Sequence, residues 1–113
     1  MHELRIAESV MNIALKEMDN RNLAAISAIG LRVGALSGVN PDALEFGFQA
    51  ITVDTKLSGA KLVIEEVPVK GICRACKEDF EVAEFVFVCP HCFSGDIEVT
   101  QGEELDIAYL ETE

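Results

Sequence analysis

The sequence predicts an α+β fold: a small α/β layer of two helices on a three-stranded mixed sheet, with a module of antiparallel strands inserted before the last strand. Three observations carry that expectation. Apolar residues repeat at three and four within 4–18 and 44–51; they alternate within 29–35, 60–67 and 104–111; and all four cysteines crowd into 73–92. A period of 3.6 marks a helix with one buried face, a period of two marks a strand, and clustered cysteines in a short chain mark a crosslink or a bound metal.

With 113 residues, the chain has the size of one ordinary domain and buries roughly 65% of its unfolded surface, enough for one modest core. Half of the residues are hydrophobic, and only eight are Gly and three Pro, which excludes wholesale disorder. Twenty acids against nine bases give a net charge of −11. That sign repels phosphate backbones and anionic lipid, so neither nucleic acid nor membrane is an expected partner. Arg32 or Glu84 breaks each apolar run within about ten residues, short of the ~20 that span a bilayer. The start, MHELRIAESV, has no basic region followed by an apolar one, so the expected compartment is the cytoplasm.

Taken in order, Leu4, Ala7, Met11, Ala14 and Met18 form the first helical stripe, and Ile6, Val10 and Ile13 widen it to about 200° of the helix surface. One face covers the sheet; the surplus either meets a partner or marks a well-buried helix. Residues 19–22 (DNRN) read as a turn, after which Ile29, Leu31, Val33 and Ala35 alternate with smaller or polar residues as a half-buried strand. Asn40-Pro41-Asp42 supplies an N-cap, a proline at the first helical position and an acid in the first turn. A second helix therefore starts there, with Leu44, Phe48 and Ile51 as its buried stripe. Residues 54–59 end it, 60–67 form the second strand, and Pro68 closes that strand. Leu105, Ile107 and Tyr109 share one face of the last strand, which returns to the first sheet.

Cys73, Cys76, Cys89 and Cys92 are spaced C-x2-C, twelve residues, C-x2-C. In a reducing compartment such pairs read as metal ligands before they read as disulfides. Each pair can sit on a tight turn with both sulfurs on one side, and two turns then present four thiolates in a tetrahedron, the geometry that suits structural zinc. Lys70, Arg74 and Lys77 surround the first turn, where they would offset the negative charge of a zinc tetrathiolate. A redox pair would need a thioredoxin-like helix start that 68–77 does not resemble. An iron tetrathiolate like rubredoxin stays open on the second turn, CPHC, and would colour the protein.

Between the turns Phe80, Val82, Phe85 and Phe87 read as a hairpin. Residues 71–95 thus form a zinc-binding, zinc-ribbon-like module, and 1–70 with 96–113 form the other domain. So few aromatics cannot offset the entropy of ordering that module, whereas metal binding can. His91, inside the second turn, reads as an exposed knuckle residue, with a metal or pH role as the other reading.

No phosphate-binding glycine loop, nucleophile elbow or Ser/His/Asp set occurs, and only two histidines exist, so no enzymatic activity is expected. Glu65-Glu66 and Glu103-Glu104 could pass for catalytic pairs. Adjacent strand residues point to opposite faces, so these read as surface acids.

The amino terminus offers a second set of donors. A bulky second residue makes a poor substrate for methionine removal, so the mature chain is expected to begin Met1-His2-Glu3. The α-amine, the deprotonated His2 backbone nitrogen and the His2 ring nitrogen close a five-membered and a six-membered chelate ring around one metal. Glu3 can add a fourth donor. Nitrogen donors in a plane suit Ni(II) or Cu(II). Without further context, a histidine at position 2 is usually a solvated chain end.

MHE at 1–3, GALSGVNPDALEFGF at 34–48, the two cysteine turns and GEEL at 102–105 follow one another at separations that resemble the HypA family of hydrogenase maturation nickel chaperones, also called HypA/HybF. The resemblance runs over the whole chain. It implies a nickel site on Met1, His2 and Glu3, and a structural zinc on Cys73, Cys76, Cys89 and Cys92. It also implies that Ni(II) is transient cargo, delivered with the GTPase HypB to the large subunit of [NiFe]-hydrogenase. Some bacterial members also serve urease, which adds urease maturation proteins to the expected partners. A HypB-like GTPase is expected beside the amino terminus, on the wide apolar arc of the first helix.

Several members carry a histidine next to a zinc cysteine, outside the motif; here Lys77 and Phe93 take those places, and nothing attributed to those histidines carries over. The expected function is a nickel metallochaperone. The alternative, from another class, is a zinc-ribbon protein-protein interaction module without metal delivery.

Overall fold

The computed structural model describes residues 2–112. Along the chain run α1 (Glu3–Arg21), β1 (Ile26–Gly34), a single 3-10 turn (Ala35–Ser37), α2 (Pro41–Thr52), β2 (Lys61–Val67), β3 (Lys70–Cys73), β4 (Asp79–Glu81), β5 (Ile97–Gln101) and β6 (Leu105–Thr112). The strands make two three-stranded sheets, ordered β2-β1-β6 and β4-β3-β5. The chain divides into two compact units. One comprises the chain up to Arg32, Val39–Glu65 and the chain from Asp106 on; the other comprises Val33–Gly38 and Glu66–Leu105.

In the first unit α1 passes through the expected turn and continues to Arg21, because Asn22 takes the left-handed conformation (φ 54°) that ends a helix, and the Leu23 N–H donates to the Met18 carbonyl at 2.9 Å. Its buried residues are Ala7, Val10, Ala14 and Met18. That arc is narrower than the sequence predicted, and Leu4 and Ile13 are left about half exposed. Helix α2 begins as expected: the Asn40 Oδ1 accepts the Ala43 N–H at 3.1 Å, with Pro41 at the first helical position. It buries Leu44, Gly47, Phe48 and Thr52. The buried Thr52 hydroxyl costs little, because it donates to the Phe48 carbonyl at 2.8 Å.

Strand β1 is not half buried but buried almost throughout. The reason is its central place in the sheet, which the residues of β1 alone do not announce. Ile29 and Leu31 point to one face and are fully buried, as are Met18, Leu44, Phe48 and Leu57. On the opposite face Gly30 leaves room for the Tyr109 ring of β6, since a Cβ at Gly30 would stand 2.0 Å from Tyr109 Cε2. Strand β6 runs antiparallel to β1, with the Ser27 hydroxyl donating to the Glu111 carbonyl at 3.1 Å and the Gly34 N–H to the Glu104 carbonyl at 2.7 Å.

In the second unit β3 pairs antiparallel with β4 (Gly71 opposite Phe80) and with β5 (Gly71 opposite Val99). The hairpin therefore straddles the first cysteine turn and does not lie between the two turns. Once the chain reverses after Cys76, the next free strand edge is that of β3, and the Cys73 N–H already donates to the Glu78 carbonyl at 2.9 Å. Residues 82–88 are irregular instead, with Glu84 and Phe85 at positive φ (52° and 60°) and Phe85 exposed. Strand β5, beyond the 71–95 read from the sequence, also joins this unit through β3. Gly102 closes it at φ 123°, its N–H donating to the Glu104 carboxylate at 2.8 Å, so Glu104 serves as a local cap. Glu65, Glu66 and Glu103 are exposed acids.

Among the described residues, no helix is long and apolar enough to cross a membrane.

Candidate metal centre

Two backbone knuckles bring the four cysteines together. In the first, the Cys76 N–H turns back to Cys73 Sγ at 3.5 Å; in the second, the His91 and Cys92 N–H groups both point at Cys89 Sγ, each at 3.4 Å. Lys77 and Phe93 occupy corresponding places after each pair, both at positive φ (68° and 63°), and their N–H groups donate to the Cys73 and Cys89 carbonyls at 2.8 and 2.9 Å. The C-x2-C spacing folds this way because a tight turn aims successive amides at the first sulfur.

All four Sγ atoms lie within 4.8 Å of one another, with Cys73 to Cys92 at 3.5 Å and Cys76 to Cys89 at 3.6 Å. A tetrahedral ion with ~2.3 Å metal–sulfur bonds needs sulfurs about 3.8 Å apart, so the cluster fits one ion of zinc size. Cys73 and Cys89 are buried, Cys76 half-buried and Cys92 exposed.

As thiols the four groups differ in acidity. The Cys76 N–H holds Cys73 down to about 6. The Glu78 N–H pulls Cys76 the same way, but burial and the neighbouring sulfurs outweigh it and push Cys76 up to about 12. Burial raises Cys89, yet the Cys92 and His91 amides bring it below the ordinary thiol range; the Ser94 amide lowers Cys92, yet Cys73 and burial leave it raised. Each pair across the two knuckles thus combines a thiol made more acidic with one made less so. A divalent cation at the centre favours all four as thiolates.

Arg74 does not stand over the sulfurs as a bare counter-charge. Its Nη1 meets Asp96 Oδ1 at 2.8 Å, its Nε lies 3.8 Å from Glu98 Oε1, and its N–H donates to the Asp96 carbonyl at 3.0 Å. It ties the first knuckle to the chain leaving the second. His91 is exposed, and its amide rather than its ring meets the cluster.

At the other predicted site, Met1 lies outside the described residues. His2 is exposed and its carbonyl accepts the Ile6 N–H at 3.1 Å, so it sits at the mouth of α1. The Glu3 carboxylate accepts the Asn40 N–H at 3.1 Å, which holds it below the usual carboxylate range. That bond joins the start of α1 to the cap of α2 across 37 positions of sequence. Nothing in the sequence pattern announced it. The cap signal at Asn40 marked only one of its two ends.

A family profile described as "Hydrogenase/urease nickel incorporation, metallochaperone, hypA" matches residues 1–112. The chain belongs to the HypA family. Among relatives in that family, the hydrogenase maturation factor HypA of Geobacter metallireducens is 45% identical over 113 residues, covering 100% of both chains. The protein of the same name from Geotalea uraniireducens is 43% identical, again over the full length of both. Solved HypA structures share the fold: the solution structure of the Ni metallochaperone HypA from Helicobacter pylori superposes with a TM-score of 0.68 at 22% identity, over 99% of this chain and 97% of that one. A second HypA solution structure gives a TM-score of 0.75, also at 22% identity, over 100% of this chain and 97% of that one. In the HypA frame this is a hydrogenase maturation protein of a nickel metallochaperone family, with four cysteines positioned for a metal.

Proposed function

We propose that this chain carries Ni(II) as cargo at its amino terminus, on Met1, His2 and Glu3, while a resident Zn(II) on Cys73, Cys76, Cys89 and Cys92 orders the cysteine-bearing unit. It is not an enzyme. It works in the cytoplasm, handing nickel with a HypB-like GTPase to the large subunit of [NiFe]-hydrogenase. The observation that carries this reading is the match of residues 1–112 to a family described by nickel incorporation. Two features of the chain support it. The four sulfurs have the spacing of a closed tetrahedral site, which suits a structural ion and not an exchangeable one. His2 is exposed at the start of a helix, where a metal can be taken up and given away without unfolding anything.

The donors dictate the chemistry of release. An amine, an imidazole and a backbone amide coordinate only when each has lost a proton or lacks one, so nickel uptake releases protons. Nickel affinity therefore falls as the pH drops, and an acceptor with its own ligands can lift the ion off the exposed His2.

The deciding experiment is a nickel titration of untagged protein beside two variants. His2→Ala is expected to abolish nickel binding and leave zinc content unchanged. Residues added before Met1 keep every side chain but turn the α-amine into an amide, and they too should weaken nickel binding. Equal nickel affinity in the extended protein overturns the amino-terminal site.

A further inference from the structure

Helix α2 carries an apolar stripe that the core does not use. At 100° per residue, Ala43, Phe46, Ala50 and the C-cap residue Val53 share an arc of about 80° that borders the buried arc of Leu44, Gly47 and Phe48 on the Gly47 side. All four are exposed, Phe46 at 75% and Val53 at 60%. A phenylalanine so exposed in mid-helix, two residues from a fully buried counterpart, is not explained by the packing of this chain. Leu4 of α1, which packs over Gly47 and is 53% exposed, extends the same surface toward the amino terminus. The spacing of three, four and three is that of a helix seam laid against another helix.

Charge decides what can cover it. Helix α2 contains two acids, Asp42 and Glu45, and no base. The first base after it, Lys56, is paired with Asp19 at 3.3 Å. On α1, Leu4 stands between Glu3 and Arg5, with Glu8 one turn beyond it, so that side carries one more acid than base. A second copy of this chain would set α2 acids against α2 acids in a parallel pairing, and in any pairing the net charge of −11 on each copy opposes approach.

We propose that the Ala43, Phe46, Ala50 and Val53 stripe is the docking face for an amphipathic helix of a different protein, one whose apolar seam is flanked by Lys or Arg. The flanking bases meet Asp42 and Glu45, and Phe46 enters the partner's seam as the anchor. Because the Glu3 carboxylate is bonded to the Asn40 amide, the N-terminal end of this face lies beside His2 and Glu3. The surface differs from the apolar arc of α1 on which the sequence placed a partner, and it stands whether or not nickel binds at the chain end.

The test uses two synthetic amphipathic helices with the same apolar seam, one flanked by Lys and Arg and the other by Glu, titrated into the full-length zinc-loaded protein and followed by amide chemical shifts. The basic helix is expected to bind roughly tenfold more tightly than its acidic twin, with the largest shifts at residues 43–53. Phe46→Ser should weaken it roughly thirtyfold and Phe46→Leu far less, while zinc content, nickel affinity and the circular dichroism spectrum stay unchanged. Equal binding of the two helices, shifts centred elsewhere, or binding that survives Phe46→Ser overturns the proposal. A concentration-dependent dimer that Phe46→Ser abolishes in sedimentation also overturns it, because a second copy would then be the occupant.

Discussion

In the helix-bearing unit the largest fully buried side chains are Phe48, Met18, Ile29, Leu31, Leu44 and Leu57, whereas in the cysteine-bearing unit they are Cys73 and Cys89. The first set are core residues in the ordinary sense, each contributing about 1.5–3 kcal/mol by leaving water. The second are candidate metal ligands, and around them Phe85, Val86, Val88 and Phe93 stay exposed. The strands differ in the same direction: β1 has nine residues, while β3, β4 and β5 have four, three and five. Strands that short, over a few buried valines, hold a sheet together only weakly. The contrast teaches that one chain closes two units in two ways. One relies on a broad apolar core; the other has a few buried valines and four cysteines placed where a metal ion could supplement them.

The sharpest way to break that contrast is to remove the ion's ligands. Cys76→Ala, or exhaustive chelation, is expected to collapse the dispersed amide signals of 71–94 and leave those of α1, α2, β1 and β2 in place. If the 71–94 signals survive without metal, apolar packing supports both units after all. The reciprocal variant is Phe48→Ala, which opens a cavity in a site 0% exposed and should cost about 3–5 kcal/mol in chemical denaturation of the helix-bearing unit. Metal content should not change.

Acidity sharpens the comparison from the other side. With Cys73 near 6 and Cys89 also lowered, while Cys76 near 12 and Cys92 are raised, uptake of a divalent ion at neutral pH should displace protons, that of Cys76 among them. Affinity therefore rises with pH, and falls more steeply below about 6 as Cys73 also takes up a proton. Proton release measured with an indicator in weakly buffered solution checks it; release of none would mean four thiolates before binding. The smallest effect belongs to the helix cap, where Asn40→Ala removes the acceptor of the Ala43 N–H and should cost about 1 kcal/mol of the helix-bearing unit's stability. A denaturation midpoint that does not move would assign the start of α2 to Pro41 and the Glu3 carboxylate instead.

What the sequence determined by itself was everything carried by neighbours along the chain. The repeat of Ala7, Val10, Ala14 and Met18 is a helix because side chains three and four apart share a face; Asn40-Pro41-Asp42 is a helix start because its groups satisfy the first free amides; and C-x2-C is a knuckle because its own amides reach its own first sulfur. The return of 105–112 to the first sheet was legible in the same way, from alternation. Tertiary structure alone decided which surfaces find a partner. Periodicity separates the faces of α2 but does not say that Phe46 stays in water while Phe48 is buried, nor that β1 is central and buried on both faces. Tyr109 over Gly30, Glu3 on the Asn40 amide and β5 on β3 are contacts between residues far apart in sequence. Each forms because folding leaves one edge, one gap or one free amide within reach, and such vacancies exist only once the chain has been brought back onto itself.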